Sequence, residues 1–184
     1  SYSKAANTIT VTGGGADTYS FTPTGGNALS SGTYSVVCTA TDAAGNSAAD
    51  TSTGEVVIDA TAPTLSTVSI DSDNAETSAT AETAADGDTV TLSITANENI
   101  AQPTCTFTED VGGGNYADTS ITYTDAGDSD AATWTCAFDL ADADVEGGVD
   151  FSIAFSDTAG NAGVAVTAVT DSSSVTLDDA VPTL

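Results

Sequence analysis

Apolar residues along this chain recur at every second position in short runs, and Gly, Asn, Asp and Ser stand between the runs. The clearest run is Thr89-Val-Thr-Leu-Ser-Ile-Thr95, which puts Val90, Leu92 and Ile94 on one face and hydroxyl side chains on the other. That period of two is the signature of a strand with one buried face. Residues 65–70 read the same way and end at the polar turn Asp71-Ser-Asp-Asn74. Residues 103–108 align Cys105 with Phe107, and residues 120–124 form a further short run. Residues 132–138 align Trp134, Cys136 and Phe138, residues 150–155 align Phe151, Ile153 and Phe155, and Val175 with Leu177 closes the set. Upstream, strands are predicted over 8–12, 18–22, 32–40 and 55–58, with Tyr19 and Phe21 on one face of the second and Val36, Cys38 and Ala40 on one face of the third. No segment carries a helical period, so the fold is expected to be all-β.

The runs belong to a repeat. Thr41-Asp-Ala-Ala-Gly-Asn46 leads to Val56-Val-Ile-Asp-Ala-Thr-Ala-Pro-Thr-Leu65, and Ser156-Asp-Thr-Ala-Gly-Asn161 leads to Val175-Thr-Leu-Asp-Asp-Ala-Val-Pro-Thr-Leu184. Pro63 and Pro182 stand 119 residues apart, the length of one sandwich-sized domain. Residues 18–46 also align without a gap on 133–161, so that Tyr19 matches Trp134, Phe21 matches Cys136 and Cys38 matches Ile153. Inward positions stay apolar although the residues differ, as a shared core requires. Three segments follow: 1–62 as the last four strands of one module, 63–181 as a complete seven-stranded module, and 182–184 as the start of the next.

Charge narrows the function. One Lys plus Arg stands against 27 Asp plus Glu in 184 residues, a formal net charge of −26. Nucleic acid would be repelled. The carboxylates either keep modules soluble and apart in a salty medium or collect divalent cations. No apolar run approaches the roughly 20 residues of a spanning helix, so no membrane insertion is expected. Three Cys on strand-like segments suit an extracellular or cell-surface setting, although each can equally be a small buried hydrophobe. No Asn-x-Ser/Thr sequon occurs, while the Ser and Thr of the outward faces can carry O-linked sugars.

No catalysis is expected. His and Arg are absent and Lys4 is the only basic residue, so a Ser or Cys nucleophile lacks its usual base. The abundant carboxylates lie in polar loops where nothing raises one pKa for acid-base work. Gly13-Gly-Gly15 and Gly112-Gly-Gly114 precede no helix and read as turns, not as phosphate cradles.

The chain resembles the bacterial immunoglobulin-like tandem repeats of large extracellular surface and adhesin-type proteins. The resemblance rests on the Asp-x-Ala-Gly-Asn turns at 42–46 and 157–161, on Ile58-Asp-Ala-Thr-Ala-Pro63 and on Thr91-Leu-Ser-Ile-Thr-Ala-Asn-Glu-Asn-Ile100, and it spans essentially the whole chain. It implies tandem antiparallel β-sandwiches, one complete and one partial, acting as structural extenders of a fibre, filament or cell-surface stalk, or alternatively as adhesive, ligand-binding modules. It also implies calcium at module junctions. The three cysteines depart from the usual pattern of such repeats.

Three expectations are specific enough to test. Cys105 and Cys136 fall on the third and fifth of seven strands, whose inner faces oppose each other, and are expected to form a disulfide across the sheets. Calcium is expected where the loops after the second, fourth and sixth strands meet the linker. This brings Asp59 near Asn97, Glu98 and Asn99 and near Asp157 and Asn161, with Asp178 repeating Asp59 at the next junction. Asp157 and Asn161 also suit a plain hydrogen-bonded turn before a glycine. Finally, Cys38 is expected to lack a partner within the chain. The inner face of residues 8–58 would then be covered by neighbouring repeats or by identical subunits placed end to end.

Overall fold

A computed structural model describes residues 30–41, 43–74, 81–109, 116, 120–125, 131–141, 144–181 and 183. The chain divides between Ile58 and Asp59 into two compact units. The strands predicted over 8–12 and 18–22, with Tyr19 and Phe21, lie outside the described residues.

The first unit shows an antiparallel hairpin of β1 (Gly32–Thr41) and β2 (Ser47–Ile58). Gly45, in the connecting turn, has φ of 89°, a left-handed conformation that side chains with a Cβ resist. The last predicted strand of this copy therefore begins at Ser47 and not at Glu55. Its extra residues carry no apolar alternation and are held by pairing with β1, from Val36 against Ser52 to Thr41 against Ser47. The backbone of Cys38 pairs with Asp50; whether its thiol has a partner lies outside the described side chains.

Among the described residues the second unit holds eight strands: β3 (Leu65–Ser72), β4 (Ala81–Ala84), β5 (Thr89–Ala96), β6 (Thr104–Glu109), β7 (Thr122–Asp125), β8 (Thr133–Asp139), β9 (Gly147–Ala154) and β10 (Ser174–Leu177). They form two four-stranded sheets, ordered β3-β5-β8-β7 and β4-β10-β9-β6. Among the described residues there is no helix, in keeping with the all-β expectation. Two features add to the expectation of a seven-stranded antiparallel sandwich. Strand β4 is the eighth strand, and it pairs with β10 in parallel, Ser174 against Ala81 through Leu177 against Ala84. Ala-Glu-Thr-Ala shows no alternation of apolar residues. Its strand character comes from the partner edge and from Glu82, whose Oε2 accepts the Ser72 N–H at 2.7 Å.

The alternation becomes the core as expected. Val90, Leu92, Ile94 and Ala96 on β5 and Trp134, Cys136 and Phe138 on β8 point inward from one sheet, facing Cys105, Phe107, Val149, Phe151, Ile153, Val175 and Leu177 from the other. The Phe107 and Phe138 rings meet across the interior with centroids 4.3 Å apart. The Cys105–Cys136 disulfide is formed and joins β6 of one sheet to β8 of the other. Buried Tyr116, Ile100 and Leu140 complete the core from connecting segments. Between β9 and β10 the chain runs alongside both sheets: Val166 pairs with Ile153, and the Thr170 N–H donates to the Val68 carbonyl at 2.8 Å.

Candidate metal centre

Three carboxylates meet at the end of the second unit where its first residues enter. Oxygens of Asp59, Glu98 and Asp157 all lie within 4.8 Å of one another. Asp157 is buried, Glu98 half-buried and Asp59 exposed, so the cluster runs from the protein interior to water.

Each carboxylate is placed by backbone bonds. After β5 the chain turns at Asn97, whose Oδ1 accepts the Thr64 N–H at 2.7 Å while its own N–H donates to the Thr64 carbonyl at 3.0 Å. The entering segment is thereby clamped beside the β5 end. Glu98 rides on the same loop, held three residues after Asn97 by fully buried Ile100, whose N–H donates to the Ala131 carbonyl. Ile100 also bridges to Asp157. Asp59 is fixed by an Asx turn, its Oδ1 accepting the Thr61 N–H at 3.0 Å.

Asp157 is held most tightly. Its two carboxylate oxygens accept the Asn161 backbone N–H and the Asn161 side-chain amide, both at 2.7 Å. The Asn161 amide holds its carboxyl below the usual carboxylate range against the opposing effect of burial, and the N–H groups of Asn161, Gly160 and Ala159 add to it. Gly160 takes φ of 94° to close this turn, as Gly45 does at the matching position of the first unit. The hydrogen-bonded turn anticipated at 157–161 is therefore formed, and the acidic cluster is built on it.

Asn161 also donates from Nδ2 to the Asp59 carbonyl at 3.1 Å, so its amide nitrogen ties Asp59 to Asp157. Asn97 spends its Oδ1 on Thr64, and Asn99 is exposed. Asp178 lies elsewhere: its N–H donates to Ala84 beside the turn that leads into β5, whereas Asn97 and Glu98 follow the end of that strand. Thr64, which takes both bonds of Asn97, is the participant that the alternation could not single out. Its signal is the recurrence of Pro-Thr-Leu at 63–65 and 182–184.

Chemically, three carboxylates at this spacing are a set of hard oxygen donors that suits a hard cation, with water free to complete a coordination of six to eight. The hydrogen bonds to Asp157 favour its ionised form. No His or Arg exists in the chain and Lys4 is its only basic residue.

The chain matches no protein-family model, no curated protein and no solved structure. The functional argument accordingly rests on the repeat, the sheets and this cluster.

Proposed function

We propose that the chain is a segment of a tandem array of immunoglobulin-like sandwiches that serves a structural role, without catalysis, in an extracellular fibre, filament or cell-surface stalk. One observation carries the reading. The Asx turn at Asp59, with the Thr61 N–H donating to its Oδ1, recurs 119 residues later at Asp178, whose Oδ1 accepts the Ala180 N–H at the same 3.0 Å. A repeated boundary conformation supports a repeated module, and repetition is how chains build length.

Strand order supports the immunoglobulin-like part. In that architecture the first, second, fifth and fourth strands make one sheet and the third, sixth and seventh the other. Here β3-β5-β8-β7 and β6-β9-β10 fill those places, and β4 adds a short segment that crosses to the second sheet. The interior disulfide favours an oxidising compartment, and no helix among the described residues is long and apolar enough to cross a membrane. In this reading calcium occupies the Asp59, Glu98 and Asp157 cluster and stiffens the module entrance, and the hydroxyl-rich outer faces carry any O-linked sugars. Neighbouring modules or identical subunits end to end are the partners.

A second reading, an adhesive ligand-binding module, is favoured by one feature: a shallow recess of about 520 Å³ lined by Gln102, Tyr123, Thr124, Asp125 and Trp134. Trp134 presents only 5% of its surface, too little for an aromatic platform, and the structural reading is preferred. Electron microscopy of the native assembly, with the mass of the intact protein, tests it. Regularly beaded threads and a mass of several modules are expected. A compact particle near 18.0 kDa would refute it.

A further inference from the structure

The second unit repeats at its close the segment with which it opens. The opening segment is seated at the entrance. Residues 59–65 lie across it with the Asp59 carbonyl accepting from Asn161 Nδ2, the Thr64 N–H and carbonyl both bonded to Asn97, Pro63 wholly buried, and Leu65 paired with Ala96. The other half is Asp178-Asp-Ala-Val-Pro-Thr-Leu184, which keeps the Asp, Pro, Thr and Leu of the entrance segment at the same spacing. As it leaves the sandwich it repeats the Asx turn of the entrance segment, made here at Asp178. Its first two residues are anchored on their own module: the Asp178 N–H donates to Ala84 O, and Asp179 Oδ1 accepts from the Asp86 N–H. Beyond them Val181 is 82% exposed, as its counterpart Ala62 is exposed in the seated segment.

We infer that residues 178–184 are a docking segment for the entrance of a following module of this kind. Asp178 O would be bonded by the residue equivalent to Asn161, Thr183 held by the equivalent of Asn97, and Pro182 buried as Pro63 is. The inference rests on the tandem-array reading and deepens it by naming the contact. Three of the seven residues differ between the segments: Asp179 for Ala60, Ala180 for Thr61 and Val181 for Ala62. The two differing positions seen in the seated segment after Asp59, Ala60 and Ala62, are exposed. Thr61 contributes to the turn through its backbone N–H, which any residue but proline supplies.

The test is a tandem protein in which residues 1–184 are followed directly by a second copy of residues 66–181, so that Leu184 takes the place of Leu65. Amide hydrogen exchange is read at Thr183 and Thr64. Thr183 is expected to slow by about tenfold or more relative to the 1–184 chain and to approach the protection of Thr64. Asn97→Ala in the appended copy is expected to abolish that gain while leaving Thr64 unchanged. Free exchange at Thr183 in a tandem protein whose appended disulfide has formed would overturn the inference. So would an appended copy that folds only after Asp179→Ala, Ala180→Thr and Val181→Ala are made. Neither result depends on the mass of the native protein, by which the array reading itself stands or falls.

Discussion

Breaking the Cys105–Cys136 link, in a Cys38→Ala background so that no third thiol can exchange, is the most direct probe of what holds the second unit together. The two residues are 31 apart in sequence, and closing a loop of that length removes about 3.5 kcal/mol of conformational freedom from the unfolded chain at 25 °C. Reduction leaves both sulfurs in place, with side chains 3% and 0% exposed, so little packing is lost with the bond. For a unit of this size the loss corresponds to a fall in Tm of about 10–15 °C. Trp134 is the only tryptophan, is 5% exposed, and lies on the same strand and inner face as Cys136. Its emission therefore follows this unit alone. Cys105→Ala with Cys136→Ala should cost somewhat more than reduction, because it also deletes two buried sulfurs and leaves a small cavity. A reduced protein melting within about 2 °C of the oxidised one would show that loop closure is not what the bond contributes.

Gly163 approaches Phe155 so closely that a Cβ there would overlap the ring edge. Because Phe155 is 7% exposed, Gly163→Ala should cost about 1–3 kcal/mol in urea unfolding, more than Gly160→Ala, where φ of 94° is the obstacle and the space is open. Asp171 accepts both the N–H and the hydroxyl of Ser173, the hydroxyl at 2.7 Å, which hold its carboxyl below the ordinary 3.8. A depressed folded value gives stability that is present above 3.8 and is lost as pH falls through the lower folded value. Asp171→Asn should thus lower stability at neutral pH and leave it little changed at the acid end, below the folded value, which flattens the acid limb. Titration calorimetry should find calcium binding at millimolar concentration or below. Glu98→Gln should weaken it without lowering the Tm of the metal-free protein, since removing one of three clustered negative charges relieves repulsion; an unchanged isotherm would rule the cluster out.

Strand positions were legible wherever one face is apolar and the other carries hydroxyls. β5 and β8 show it plainly, because the inward residues Val90, Leu92, Ile94, Trp134, Cys136 and Phe138 are apolar and the residues between them are Thr, Ser or Ala. β4 was invisible for the converse reason. Its four residues bury only Ala84 fully, and its pairing is set by β10, distant in sequence. Tyr116 was missed because it is buried from a connecting segment, where no periodicity marks it. The disulfide was legible because both cysteines share an inward face with an aromatic residue on strands that had to oppose each other. For the metal cluster, topology brought Asp59, Glu98 and Asp157 together, while the separate roles of the asparagines could not be read. Asparagine offers both a donor and an acceptor, and only geometry decides which one faces the carboxylates.

The two copies also differ in how strictly they repeat, and the joint explains the difference. Inward positions such as 134 and 153 ask only for apolar volume, and in the sequence alignment Trp134 stands against Tyr19 and Ile153 against Cys38. The closing phrase asks for particular atoms. A carboxylate oxygen must accept the N–H two residues on, a proline must fit a site that excludes water at Pro63, and a glycine must adopt φ near 90° at 45 and 160. The latter turn arranges both oxygens of Asp157 toward Asn161. Few residue types meet any one of these demands, so the sequence repeats at its boundaries more faithfully than in its core. Between Asn161 and β10 the demands are mixed: Val166 is bonded to Ile153 through backbone alone, a contact that tolerates many residues, whereas Val68 is held by the Thr170 hydroxyl as well as its backbone N–H, and here the second unit departs from the hairpin of the first.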